Sequence, residues 1–275
     1  SMALRINNDV KALSILRNLG QAQTAGDRSI GRLSSGLRIS RAADDSAGLA
    51  IANQLKAEVG SLRVATRNAE QAGSLLAVAE GGLQGIQQVL FRMQELASQS
   101  VSDNVDGDSR ALIDAEYQEL LSEIDRIADN TTFSGTNLLN ATTTTMNFVV
   151  GAAATNTISF TTLDANAAAL NAGFEASDVT TSADAALALT DITAALGAVA
   201  TGFASVGATQ SRLDSALNQA QIALENTAAA ESVIRDVDFA SEFTSLTKSQ
   251  ILSQTGISVL AQSNSRAQSV LALLQ

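Results

Sequence analysis

Carboxylates and guanidinium groups are the only residues with much chemical reach, because the chain has no His and no Cys. Imidazole bases, thiolate nucleophiles, disulfides and the usual zinc ligands are therefore absent. Asp44 and Asp45 form an adjacent pair, a pattern compatible with metal binding or acid–base work. Asp45 ahead of Ser46-Ala47-Gly48-Leu49 reads better as a helix N-cap, where a carboxylate satisfies orphan amides and meets the positive end of the dipole. Arg38 and Arg41 are nearby candidate partners. A second set is Arg92, Glu95, Leu96 and Glu116. Arg92 and Leu96 stand one helical turn apart, hence on one face, which reads as a solvated surface with an exposed Leu. Between residues 141 and 178 only Asp164, Glu175 and Asp178 ionise. No catalytic residue, cofactor or metal site is expected.

The elements that must carry these groups are helical. Hydrophobic residues make up 45% of the 275 positions but aromatics only 3%, so the apolar share is Ala, Leu, Val and Ile, suited to close helix packing more than to a ring-lined pocket. There is no Pro, the residue that breaks a helix interior at roughly 3 kcal/mol. A net charge of −11 repels phosphate backbones and anionic lipid, which excludes nucleic acid and membrane as partners. No run approaches the ~20 apolar residues of a membrane span. The N-terminus carries no Sec-type leader pattern, and Ser1 before Met2 reads as an added residue ahead of a natural start at Met2 or Ala3.

The strongest pattern is a heptad ladder of Leu62, Ala65, Ala69, Ala72, Leu76, Ala79, Leu83, Ile86, Leu90, Met93 and Ala97. Such a period keeps one seam facing a partner helix. A second ladder reads Ile192, Leu196, Val199, Phe203, Val206, Gln210, Leu213, Leu217, Ala220, Leu224 and Thr227. At about 1.5 Å per residue each ladder spans roughly 50 Å, so the two can lie side by side. A shorter third, Ile113, Tyr117, Leu120, Ile124 and Ile127, follows the turn-like stretch 102–109. Three seams make a bundle.

The centre differs. From Asn130 to about Asp178 the chain is rich in Thr, Ala, Asn and Gly, and the runs Met146–Val150 and Thr157–Thr162 predict one small β-hairpin region, with Thr142–Thr145 as a polar loop. Both ends are amphipathic again: Val10, Leu13, Leu16 and Leu19, then Ile30, Leu33 and Leu37, face Phe239, Phe243, Leu246, Ser253, Ile257, Leu260, Val270 and Leu271 across the sequence. Gln250, Asn264 and Ala267 break these seams, so the terminal helices are expected to order mainly against partners.

Several polar strings carry more than periodicity. They are NDVKALSILRNL at 8–19, RLSSGLRISRAADDSAGLAIANQL at 32–55, Arg67-Asn68, Ala79-Glu80-Gly81, ESVIRDVD at 231–238, LTKSQILSQ at 246–254 and the close at Val270 to Leu274. With these strings the chain resembles the bacterial flagellins over roughly residues 3–140 and 180–275.

The resemblance implies a mainly α fold: a long coiled-coil helical bundle built from both chain ends, with a small central β-hairpin region. It places an inner terminal-helix domain at 3–40 and 232–275, a connecting segment at 41–56, a helical bundle domain at 57–140 and 180–228, and a short hairpin or outer variable region at 141–179. Val10, Leu13, Leu33, Phe239, Phe243, Leu246, Ile257 and Leu260 would form the inner coiled coil, and Arg38, Arg41, Asp44 and Asp45 the connection. The implied function is a structural subunit of the flagellar filament, exported unfolded and found outside the cell, with a hook-filament junction protein as the alternative. Implied partners are other copies of the subunit, a FliS-type export chaperone at the C-terminal helix, and the filament cap and hook-junction proteins. The Arg92, Glu95, Leu96 and Glu116 surface would join neighbouring subunits, and the animal innate receptor TLR5 would recognise it. The chain departs from larger members in its short centre, in Gln94 where many recognised members have arginine, in Ala267 where many carry proline, and in Gln262-Ser263-Asn264 where Gln-Ala-Asn is common.

Overall fold

The computed structural model describes residues 10–140, 144–174 and 177–272, with side chains described through residue 265. Parts of several sequence readings therefore lie outside the described residues: Asn8 and Asp9 of the first string, Thr142 and Thr143 of the polar loop, Glu175, the side chains of Ala267, Val270 and Leu271, and Leu273 and Leu274 of the closing string. The described residues are 76% helical, and the chain divides into two compact units, residues 1–57 with 226–275 and residues 58–225.

The larger unit is the bundle. Its helices belong to α2 (Ser46–Val101), α3 (Gly107–Asn130) and α5 (Ser182–Arg235). Every rung of the first ladder, from Leu62 to Ala97, is buried. Beside it runs a second stripe on α2, Leu75, Gly82, Val89 and Leu96, again one residue in seven, buried or partly so. A helix covered on two flanks needs this wider apolar face. On α3 the buried set is Ile113, Tyr117, Leu121, Ile124 and Ala128, with Leu120 and Ile127 only packed against it. Asp106 caps α3 by accepting from the Ser109 amide at 2.8 Å, as the turn chemistry of 102–109 predicts.

On α5 the seam is displaced by one residue at alternate rungs. The buried line is Ala185, Ala188, Ile192, Ala195, Val199, Gly202, Val206, Thr209 and Leu213. The ladder residues Leu196, Phe203 and Leu217 flank it half-buried. Small residues at every second rung let α5 approach the large side chains of α2: a methyl at Gly202 would lie 3.2 Å from Leu83 Cδ1. Gln210, the polar interruption of the ladder, donates to Glu80 at 3.1 Å. The Ala-rich α5 contains a window apolar enough to cross a membrane by length and composition alone, which corrects the expectation that no run approaches a membrane span. Its buried line belongs to the bundle core.

The predicted hairpin is present as β3 (Thr145–Val149) and β4 (Thr157–Thr161), antiparallel with Asn147 opposite Ser159. Ile158 and Phe160 point into the same core as the helices, so the hairpin is a lid of that core and more than an outer loop. Asn68 of α2 donates to the Val149 carbonyl at 3.2 Å, which gives the Arg67-Asn68 string a structural task. A tighter hairpin, β1 (Thr132–Phe133) with β2 (Thr136–Asn137), turns through Ser134 and Gly135 at φ 50° and 81°, a left-handed pair favouring Gly and small polar residues. Neither it nor the single turn α4 (Ala167–Leu170) announced itself by periodicity.

In the terminal unit, α1 (Val10–Ser35) packs against α6 (Phe239–Ala272). A short antiparallel closure joins their near ends, with Arg38 N donating to Arg235 O at 2.7 Å and Val237 N to Gly36 O at 3.0 Å.

Candidate functional site

Three sets of residues were expected to act: the terminal seam, the connecting segment and the Arg92 surface. The terminal seam exists, on different residues. Ala22, Gly26 and Ser29 are buried on α1. Opposite them Glu242, Leu246, Ser249, Ser253, Gly256 and Leu260 are half-buried on α6, three and four apart. A Cβ built at Gly26 would meet Ser249 at 3.7 Å, and one at Gly256 would meet Leu19 at 3.4 Å. Leu33, Leu246 and Leu260 therefore belong to this contact. Val10, Leu13, Phe239, Phe243 and Ile257 do not: they are 54–67% exposed. Small residues allow closer approach of two helices than bulky ones do, and the sequence ladder followed bulk. Leu16, Ile30, Ile251 and Leu252 are also exposed, so the terminal pair presents most of its large apolar side chains to solvent.

The connecting segment holds its carboxylates by amides. Asp45 accepts from the Gly48 amide at 2.9 Å, so it caps α2 as expected. Asp44 accepts from the amides of Arg41 at 3.1 Å and Ser40 at 3.4 Å. The Arg41 amide bond, followed by the Ser40 bonds and the charge of Arg32, lowers its pKa against the opposing effect of burial. The expected pairing with Arg38 and Arg41 is corrected: among the described residues neither guanidinium bridges Asp44 or Asp45. Arg38 instead donates from Nη2 to the Ile234 carbonyl at 2.6 Å. On the first turns of α2, Ala52 is fully buried and Ala50 exposed. Gly48 has no room for a methyl, which would sit 2.9 Å from Ile39 Cδ1.

At the third set the ionic part is assembled and the apolar part is not. Arg92 donates to Glu116 from Nη2 at 2.8 Å and Nε at 3.0 Å, and to Glu95 from Nη1 at 3.0 Å. The carboxylates, Glu116 foremost, raise the guanidinium pKa. All three side chains stand about half or more in solvent, at 50%, 47% and 70%. Leu96, expected at the centre of this surface, is 2% exposed and belongs to the bundle core. It lies off the Leu90–Met93–Ala97 seam, as the sequence indicates, but on the second buried stripe. The exposed apolar residues missed there are Phe91 at 48% and Leu112 at 75%. Their signal was available: each is a large apolar residue outside every ladder.

The geometry at all three sets is that of packed or exposed helix surfaces and capped helix ends. A sequence model of the bacterial flagellin N-terminal helical region matches residues 6–144, and one of the C-terminal helical region matches residues 189–274. The chain belongs to the bacterial flagellins. A flagellin of Halalkalibacterium halodurans is 40% identical over 271 residues, covering 98% of this chain and 99% of that one. A flagellin of Bacillus subtilis is 37% identical, covering 99% and 100%. Among solved structures, that of a putative flagellar hook-associated protein from Vibrio parahaemolyticus is similar at TM-score 0.59 over 70% of this flagellin and 99% of that chain, at 14% identity. That likeness is one of fold. The quoted strings at both ends fall inside the matched regions, and the junction-protein alternative gains no support over the flagellin reading.

Proposed function

We propose that this flagellin is the structural subunit of a flagellar filament, polymerising helically for motility, and that it works as a structural protein and not as an enzyme. The observation that carries the reading is the terminal pair, whose large apolar side chains stay exposed in the single chain. Exposed apolar surface of that extent marks an interaction site, and a second copy of the chain is the partner that family membership supplies. Residues 3–40 and 232–275 serve as the inner domain, 41–56 as the connection, 57–140 and 180–228 as the bundle and 141–179 as the outward segment.

Export proceeds as an unfolded chain to the outside of the cell, with a FliS-type chaperone covering α6 beforehand. The filament cap and the hook-junction proteins contact the same polymer. The Arg92, Glu95 and Glu116 cluster, with Phe91 and Leu112 in place of Leu96, forms a contact between neighbouring subunits and the surface TLR5 would read. Removing residues 240–275 is expected to abolish filaments in the electron microscope while circular dichroism still shows cooperative melting of the bundle helices. Filaments of normal yield from the shortened chain would overturn the reading.

A further inference from the structure

Charge is distributed unequally between the two units. Residues 1–57 with 226–275 hold 11 Lys and Arg against 8 Asp and Glu, whereas residues 58–225 hold 6 against 20. The terminal unit is therefore formally +3 and the bundle unit −14. The positive surplus is concentrated on α1 and the segment after it, where two adjoining hollows of about 650 and 560 Å³ share Thr24 and Arg28. Arg17, Arg28, Arg32 and Arg41 line them, against the carboxylates Asp27 and Asp44. Arg17, Gln21, Thr24 and Arg28 fall on one helix face by their spacing. Arg32 has a bridge to Glu242 at 3.6 Å, and Asp44 is occupied by amides. Among the described residues Arg17, Arg28 and Arg41 have no ion-pair partner, and all three are exposed.

We infer that this cationic groove, Arg17 to Arg41, receives a carboxylate-bearing face of a second copy's bundle unit during polymerisation. Arg17 and Arg28 are roughly 16 Å apart along the helix, too far to converge on one phosphate or carboxylate and suited to an extended acidic surface. A nucleic acid or an anionic membrane would meet a chain of net charge −11. The bundle unit holds the acidic surplus, and joining unlike patches on successive copies gives the head-to-tail contact that open helical polymers require. Complementary charge of this kind fixes register and speeds encounter as well as adding affinity.

The inference rests on the filament reading, so the unaltered chain is polymerised in parallel; its failure would count against that reading and not against the groove. Full-length chain carrying Arg28→Lys is assembled from an equal mixture of light and ¹⁵N-labelled protein, and Lys–carboxylate pairs are joined with a carbodiimide. The expected product is a mixed-isotope peptide linking position 28 to an Asp or Glu within residues 58–225. Links only to Asp27 or Asp44 of the same chain, or between copies only to carboxylates outside 58–225, would overturn it. Full-length chain with both Arg28→Glu and Arg41→Glu should melt as the parent does, yet leave about tenfold more free subunit in equilibrium with polymer. An unchanged free concentration would overturn it too.

Discussion

The bundle and the terminal pair are both heptad structures, yet they spend their apolar residues in opposite ways. In the bundle the large side chains Leu76, Leu83, Ile86, Leu90 and Met93 are at most 1% exposed, and α5 meets them with Ala and Gly. In the terminal pair the small residues Ala22, Gly26 and Ser29 hold the contact, while Phe243 is 64% and Leu13 is 59% exposed. The first arrangement removes apolar area from water within one chain. The second leaves that area exposed in the single chain; on the filament reading proposed above another copy removes it, which makes stability of the bundle a property of the monomer and burial of the termini a property of the polymer.

The sharpest break of this contrast is Leu96→Asp. A carboxylate at a fully packed core position has no partner, and an unpaired buried charge destabilises by about 3–5 kcal/mol, a large part of the 5–15 kcal/mol typical of a domain. Thermal melting followed by circular dichroism should show the bundle transition strongly lowered or lost. An unaltered transition would mean that Leu96 faces solvent after all.

That residue also shows where the sequence stops being legible. The first ladder is readable rung by rung because Leu and Ala alternate with polar residues over a long helix. Leu96 sits one position off that ladder, on a stripe whose Gly82 faces Leu139 and Thr131, neighbours that only the fold brings near. On α5 the same limit appears in reverse: Leu196 and Phe203 look like better rungs than Ala195 and Gly202, because periodicity weighs hydrophobicity and says nothing of how much space the partner helix has already filled. The hairpin β3–β4 was legible from its β-branched and aromatic runs, whereas β1–β2 has two residues per strand, too few for a period. The Asp45 cap was legible from local chemistry. The partners of Arg38 and Asp44 were not, because backbone groups that only the fold brings near, such as the Ile234 carbonyl, outcompeted the side-chain pairing.

A pH titration separates the bundle from the termini next. Tyr117 is the single Tyr, fully buried on α3 with its hydroxyl 3.2 Å from Ser177 Oγ. Burial pushes its pKa up to about 12, with Asp191, Asp114 and Asp178 adding to the rise and the Ser177 bond opposing it. In the unfolded chain the group ionises near 10. A raised folded pKa gives stability that is complete below pH ~10 and is lost as pH rises through about 12, worth about 3 kcal/mol. The bundle should therefore weaken between these values, and Tyr117→Phe should flatten that part of the profile in denaturant titrations. A profile identical to the parent's would place the loss elsewhere.

A smaller effect tests the displaced seam on α5. Gly202→Ala sets a methyl 2.7 Å from Leu163 Cδ2 and 3.2 Å from Leu83 Cδ1, while Gly197→Ala meets nothing within 4 Å. Both gain helix propensity of about 1 kcal/mol, and only the first overpacks the core, at about 1–3 kcal/mol. The two variants should differ by that amount in urea melting midpoints, Gly197→Ala the more stable. Equal stabilities would return the seam to Phe203.

The least effect on the monomer belongs to the terminal pair, at Phe243→Ser. The ring is 64% exposed in the single chain and lines a shallow hollow with Ile251 and Leu252. Its loss removes little buried area from the monomer, and the bundle transition should stay where it is. If polymerisation covers the ring, the missing apolar area weakens each subunit's addition by about 1–2 kcal/mol, which raises the free subunit concentration about tenfold in sedimentation of polymer. Leu76→Ser makes the opposite pair of readings, because its side chain is fully buried in the bundle: the monomer transition falls, and polymer yield falls only as far as folded subunit becomes scarce. The comparison fails if Phe243→Ser lowers the monomer transition, or if the free concentration does not move, since the termini would then be complete in the single chain or idle in the polymer.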